Sequence, residues 1–329
     1  MAHVSIGPPD GKRLRESDRG QLLVVAGLVM AVSLVALVVL LNATIYSENV
    51  ATRGIEAADG EATEVRAATV DGVGETIDAV NRANENNAAP TTGFLAGVDE
   101  FEERIGRSYA GRGGVIRLET GHNRTTNGTR IDTTGNDTSL ANATGTGDYE
   151  FAGGVNRTRA FTLDIDIGEL ATATTASAAD DAFHVVIDPD GNESREVYVY
   201  NGSDDVVVAV GDGGNEPTVV HEIDRDEVGN LSVDLTGEEL NGSPYFDLWP
   251  SDRIDRNGSY SIRVANGDAA NGTMRATVRP ADPNGGTTTD VADDHVSGAV
   301  YDAIVDLSYR TAEIQFETTV RVAPGEPHA

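Results

Sequence analysis

Apolar residues in this chain repeat with three different periods. From Leu22 to Leu41 the sequence reads LLVVAGLVMAVSLVALVVLL, and no charged residue occurs from Gly20 to Ser47. At a rise of about 1.5 Å per residue, an uncharged helix of that length spans the roughly 30 Å hydrocarbon layer of a bilayer. Further on, Ile55, Ala58, Ala62, Val65, Thr69, Val73, Ile77 and Val80 step by three or four residues, the mark of an amphipathic helix. Gly54, Gly60, Gly72 and Gly74 weaken that helix, each by about 1 kcal/mol relative to alanine, and predict kinks. Asn86, Asn87 and Pro90 stop it, and Phe94, Val98, Phe101, Ile105 and Tyr109 give a second stripe over about 92–109. Two amphipathic helices joined by a short turn predict an antiparallel hairpin whose stripes cover each other.

After Gly111 the period falls to two. Candidate strands are 115–119, 160–167, 182–188, 196–201, 206–210, 218–223, 231–235, 260–265 and 273–278. The alternation is clearest at the end of the chain. There Tyr301, Ala303, Val305, Leu307 and Tyr309 share one face, and Ile314, Phe316, Thr318, Val320 and Val322 another. Asp190-Gly191, Asn201-Gly202 and Asn266-Gly267 are hairpin-type turns. Together these elements predict an α+β chain. Residues 1–20 form a leader, 21–45 a long transmembrane helix, 46–110 a helical hairpin stalk, and 111–329 an antiparallel β-sandwich-like domain with a long polar loop at 121–158.

Charge adds an orientation. Lys12, Arg13, Arg15 and Arg19 precede the apolar run, so the positive-inside rule keeps the N-terminus in the cytoplasm and places the β-rich part outside. Of the net charge of −30, residues 1–20 carry +1 and the remainder −31. Such acidity repels phosphate backbones, which argues against nucleic acid as a partner. The chain has no cysteine, which removes disulfides, thiol nucleophiles and cysteine metal sites. Lys12 is the only lysine, and acidic residues with almost no lysine resemble the composition of haloarchaeal proteins. In molar salt the Debye length shrinks to about 3 Å, and the self-repulsion of such a surface fades.

Chemistry-bearing motifs are sparse. Asp188, Asp190 and Glu193 form a partial calcium-loop pattern, which reads better as a solvated hairpin turn. Asp164 and Asp166 lie on one side of a strand, as an acid–base pair would, but alternate aspartates more often mark a solvent face. His122, His184, His221 and His295 are dispersed and form no zinc motif. No phosphate-binding glycine loop or nucleophile elbow occurs, and Gly211-Asp212-Gly213-Gly214 reads as a turn. Trp249, with Tyr245 and Phe246, reads as an anchor of the β core in preference to a binding patch. No catalytic residue, no metal and no cofactor is therefore expected.

Asn-x-Ser/Thr occurs twelve times, at Asn42, Asn123, Asn127, Asn136, Asn142, Asn156, Asn192, Asn201, Asn230, Asn241, Asn257 and Asn271. Random placement would give about 3, so glycans are expected at several of these sites beyond Asn42, which lies too near the membrane. At Asn201, Asn241, Asn257 and Asn271 the Asn-Gly pair is equally good turn chemistry.

Arg19-Gly20-Gln21 stands directly before the apolar run. A basic, a small and then a polar residue opening a hydrophobic segment resembles the class III signal peptide of archaeal type IV pilins and pilin-like proteins. Ile45-Tyr46-Ser47-Glu48-Asn49 and Ser308-Tyr309-Arg310-Thr311 are similar to stretches of a haloarchaeal pilin-like membrane family. The resemblance implies cleavage between Gly20 and Gln21 by a prepilin peptidase, retention in the lipid bilayer, and other pilin-like subunits as partners. Val25 departs from the glutamate that bacterial pilins carry at the fifth mature position. The expectation is a non-enzymatic, membrane-anchored structural or adhesive surface protein. The alternatives are a single-pass surface protein with no filament role and a membrane-tethered ion-binding or enzymatic domain.

Overall fold

The computed structural model describes residues 27–28, 30–31, 33–35, 37–38, 40–41, 60–86, 88–134, 139–245, 247–255, 258–283 and 285–327. The chain divides into two units, Met1–Glu64 and Val65–Ala329. In the first, every described residue is helical, and the large apolar side chains at Leu28, Met30, Leu34, Val35, Leu37, Val38, Leu40 and Leu41 are 57–69% exposed.

The second unit is overwhelmingly antiparallel β-sheet. Residues 60–83 are helical, and the part from Val65 onward is α1; Thr91–Ala110 is α2. The first strands are β1 (Val115–Glu119), β2 (Thr125–Asp132) and β3 (Tyr149–Asp166), followed by the single turn α3 (Ala178–Asp181). Then come β4 (Phe183–Pro189), β5 (Arg195–Asn201), β6 (Asp205–Asp212), β7 (Thr218–Asp224), β8 (Asn230–Asp234), β9 (Glu239–Leu240) and β10 (Ser243–Pro244). Last are β11 (Tyr260–Ala265), β12 (Asn271–Pro280), β13 (Val296–Arg310) and β14 (Gln315–Val322). Among the described residues these fourteen strands form one hydrogen-bonded sheet in the order β1-β13-β2-β12-β3-β11-β4-β5-β6-β7. Off that path β14 pairs with β13, and β8 pairs with β3 and β9.

Two expectations are corrected here. The α+β arrangement of a long transmembrane helix running into a free helical stalk is not what the structure shows. Among the described residues no helix is long and apolar enough to cross a membrane. Most of 21–45 and all of 46–59 lie outside the described residues. The helices at 65–83 and 91–110 are part of the β unit: Val65, Val73, Ile77, Phe94, Val98, Ile105 and Tyr109 share an apolar cluster with Ile116, Leu118, Val305, Leu307, Tyr309, Val320 and Val322. Both helical stripes therefore dock on the face made by β1, β13 and β14. Register explains why that face is continuous, because Ala303, Val305, Leu307 and Tyr309 stand opposite Val322, Val320, Thr318 and Phe316. Gly72 does not kink α1: a Cβ there would lie 2.1 Å from the Phe101 ring, so this glycine lets the two helices approach. Asn81 ends the docking with a two-way bond to one strand residue, donating Nδ2 to Val300 O and accepting from Val300 N, both at 2.8 Å.

The second correction concerns the polar stretch 121–158, which is not one continuous loop, since β2 (125–132) and the first half of β3 (149–158) take up 18 of its 38 residues. Only Ile131 of β2 is fully buried, so side-chain alternation gives no signal. The strand is instead held by ladder bonds to β13 and β12 on its two edges. Gly128 makes that fit, since a Cβ there would meet Val278 O at 2.6 Å and Tyr301 Cβ at 3.0 Å. The largest apolar cluster gathers Phe151, Phe161, Leu163, Phe183, Val197, Leu231, Trp249, Tyr260 and Met274, and places Trp249 in the core. Its ring meets Tyr260 edge to face at 6.1 Å. Phe246 lies outside the described residues, and Tyr245 packs at the margin against His221.

Candidate functional site

The strongest concentration of charge lies where α1, β3, β13 and the C-terminal segment meet. β3 carries a bulge at Ala160, whose φ of 51° is unusual for a residue with a side chain, and whose N–H donates to Gly325 O at 2.8 Å. Bulges re-aim side chains. Beside this one Arg159 is 1% exposed, donating to Asp78 Oδ1 at 3.1 Å, Pro324 O at 3.0 Å and Val300 O at 3.1 Å. Arg321 holds Asp302 at 2.6 Å and also grips Glu326. Glu326 accepts from the Tyr301 hydroxyl at 2.9 Å and faces Arg157 at 3.5 Å. Burial works against the Glu326 carboxylate, but the Arg321 bonds outweigh it and hold its pKa below the usual glutamate value. Burial, with Glu326 adding to it, pushes the Tyr301 hydroxyl far up. A groove of about 810 Å³ runs alongside, between Asp71, Glu75 and Asp78 of α1 and Arg157, Arg321 and Glu326. The buried carboxylates here are committed to arginines, so this junction clamps α1 to the sheet and offers no poised acid, base or nucleophile.

The weak metal candidates do not converge. Asp188 is bonded to Arg263 at 3.1 Å and Asp190 to the Ser259 hydroxyl, while Glu193 is exposed on the hairpin between β4 and β5. Among the described residues no group of three or more histidines or carboxylates could hold a metal ion. Asp164 pairs with Arg275 at 2.5 Å, and Asp166 instead accepts from Gly168 N at 2.9 Å, so the two are tied to separate tasks. The Gly211–Gly214 stretch turns β6 into β7 and donates Gly214 N to Glu196 at 3.0 Å.

The sequons separate by geometry. Asn123, Asn127, Asn192, Asn230 and Asn241 are exposed, and Asn142 and Asn271 are half-buried. Asn201 is buried and donates Nδ2 to Ile167 O at 3.2 Å and Leu170 O at 2.7 Å, so both its amide hydrogens are in use. Asn156 is buried with Nδ2 on Gly258 O at 3.1 Å. Oligosaccharide attachment needs an accessible amide nitrogen, and these two lack one. Asn136 and Asn257, like the processing residues Arg19, Gly20 and Gln21, lie outside the described residues. Sequence reasoning missed Arg159 and the Glu326 cluster, because arginines at alternate positions of a polar strand read as a solvent face.

A family model described as a family of unknown function (DUF7261) matches residues 16–179. The match takes in Arg19-Gly20-Gln21, the apolar run, α1, α2 and β1 to β3. No curated protein and no solved structure matches the chain.

Proposed function

We propose that this chain is a non-enzymatic surface protein, held at a lipid bilayer by its apolar segment 22–41, whose β unit faces the external medium in a pilin-like, structural or adhesive role. The observation that carries the reading is the bare apolar surface of that segment. Eight large side chains between Leu28 and Leu41 are 57–69% exposed, whereas among the described residues the other large apolar side chains are covered except at Val115, Val219 and Ile304. Covering each one is worth about 1.5–3 kcal/mol, so a surface of this kind is stable only against lipid or against other apolar segments. The basic residues ahead of it and the −31 charge after it favour a cytoplasmic leader and an external domain. The arrangement of Arg19-Gly20-Gln21 supports processing by a prepilin peptidase, followed by packing of the apolar segment among other subunits. The exposed sequons support a glycosylated outer surface.

N-terminal sequencing of protein taken from native membranes tests the pilin-like part. A mature chain beginning at Gln21 is the expected result. An intact leader, unchanged by Arg19→Ala, would leave a surface protein without a filament role.

A further inference from the structure

On the side of β4, β5 and β6 away from the main core, Ala173, Ala178, Ala182, Tyr198, Tyr200, Val207 and Ala209 form a small apolar cluster. His184 sits beside it, 7% exposed, with its ring stacked on Tyr198 at a centroid distance of 4.4 Å. Its Nδ1 lies 3.0 Å from Ala182 O. A carbonyl oxygen can only accept, so Nδ1 carries the hydrogen and Nε2 keeps a lone pair. Among the described residues Nε2 has no hydrogen-bond partner. The ring lines a groove of about 600 Å³ together with Asp148, Glu150, Asp180, Arg263 and Asn266.

The groove presents acceptors. Asp148 Oδ1 is fixed by Asn266 N at 2.9 Å, Glu150 Oε1 takes the Thr288 hydroxyl at 2.5 Å, and the Asp180 carboxylate has no side-chain partner among the described residues. The only cation on the wall, Arg263, is turned to Asp188 at 3.1 Å. Desolvation holds the His184 pKa below its ordinary value despite the opposing pull of Ala182 O, Glu196 and Asp148, which keeps the ring neutral and its lone pair available. The described residues offer no three-ligand set for a metal ion. A volume in the range of small-molecule sites, walled by carboxylates and by the unpaired nitrogen of a largely buried, oriented imidazole ring, suits a ligand that brings both positive charge and N–H donors.

We propose that this groove is a binding site for a small organic cation of the amine or guanidine class, with His184 Nε2 accepting one of its N–H groups and Asp180 and Asp148 supplying the opposite charge. The site is independent of the anchoring reading, since it lies wholly within the β unit. Free amine and the arginine side chain of a peptide share this chemistry.

The test uses the full chain in detergent, with histidine ring nitrogens labelled, titrated with agmatine in one arm and an arginine-containing tripeptide amide in the other. Saturable movement of the His184 Nε2 resonance is expected in the arm that matches the natural source. His184→Phe keeps the stack on Tyr198 and removes the acceptor, and Asp180→Asn removes a charge without touching the cluster. Calorimetry should show each weakening binding by about tenfold or more, with circular dichroism confirming that both variants are folded. No saturable shift with either probe at millimolar concentration overturns the proposal. So does binding that both folded variants retain at full strength.

Discussion

Replacing Arg159 with methionine tests whether α1 belongs to the β unit through the clamp described above. The substitution keeps the length of the stem and removes the guanidinium, which is 1% exposed and bonded to Asp78, Pro324 O and Val300 O. Asp78 is 39% exposed, so water replaces much of what its carboxylate loses, and the ion pair itself contributes little. The larger loss falls on Pro324 O, left without its donor at a cost of about 1–3 kcal/mol, whereas Val300 O keeps the Asn81 amide at 2.8 Å. With the weak ion pair and the weaker hold on Val300 O added, and part returned by the apolar methionine stem, the net loss is about 2 kcal/mol. For a unit of this size a loss of 1 kcal/mol lowers Tm by about 2 °C, so a fall of about 4 °C is expected. Thermal unfolding of the full chain by circular dichroism, at one fixed salt concentration, measures it. Asp78→Asn should lower Tm by less than half as much, because the carbonyl bonds survive. A shift of Arg159→Met within about 1 °C of wild type refutes the clamp, and so does an Asp78→Asn cost equal to it.

Other outcomes follow from the same geometry. Gly128→Ala places a Cβ 2.6 Å from Val278 O, a backbone atom in the neighbouring strand, and should destabilise by about 1–3 kcal/mol in denaturant titration, whereas Gly60→Ala, with open space around it, should not. The Glu326 pKa is depressed in the folded state, so its contribution is present above the unfolded glutamate value and is lost as pH falls through the folded one. Glu326→Gln should therefore flatten the acid limb of a Tm-versus-pH curve below about pH 4.5. His184, also depressed, contributes stability that is whole above its unfolded value of about 6.5 and declines as pH falls towards the folded value. His184→Phe should remove that slope, and a slope unchanged in the variant would assign it elsewhere. Glycopeptide mass spectrometry should find Asn156 and Asn201 unoccupied, with any glycans at exposed sites such as Asn123, Asn230 and Asn241.

Several elements were legible because a single periodicity determined them. The strand 115–119 has the boundaries that the sequence pattern predicts, and the alternation from Tyr301 to Tyr309 is the buried face of β13. The stripes of α1 and α2 were equally clear. Their partner was not, because a helical period states that a face is covered and not by what. Two facing stripes and one sheet satisfy it equally. β2 stayed hidden since a central strand rich in threonine, asparagine and glycine is specified by its neighbours' backbones. The bulge at Ala160 has no sequence signature either, as alanine has no preference for positive φ. Without that bulge the arginine before it reads as solvent-facing, so the clamp could not be found from the pattern. His184 looked like one of four scattered histidines. Only its pairing with Tyr198 across β4 and β5 shows that its ring is covered, and only the Ala182 carbonyl 3.0 Å from Nδ1 fixes its tautomer.

The central claim is that the apolar segment holds the protein at a membrane and the β unit lies outside. Protease treatment of intact cells, followed by identification of the released peptides, tests it most directly. The account predicts peptides from exposed turns such as Asp190–Ser194 and Gly213–Glu216, cut without lysis, while residues 1–20 stay protected. Recovery of β-unit peptides only after the cells are broken would contradict it.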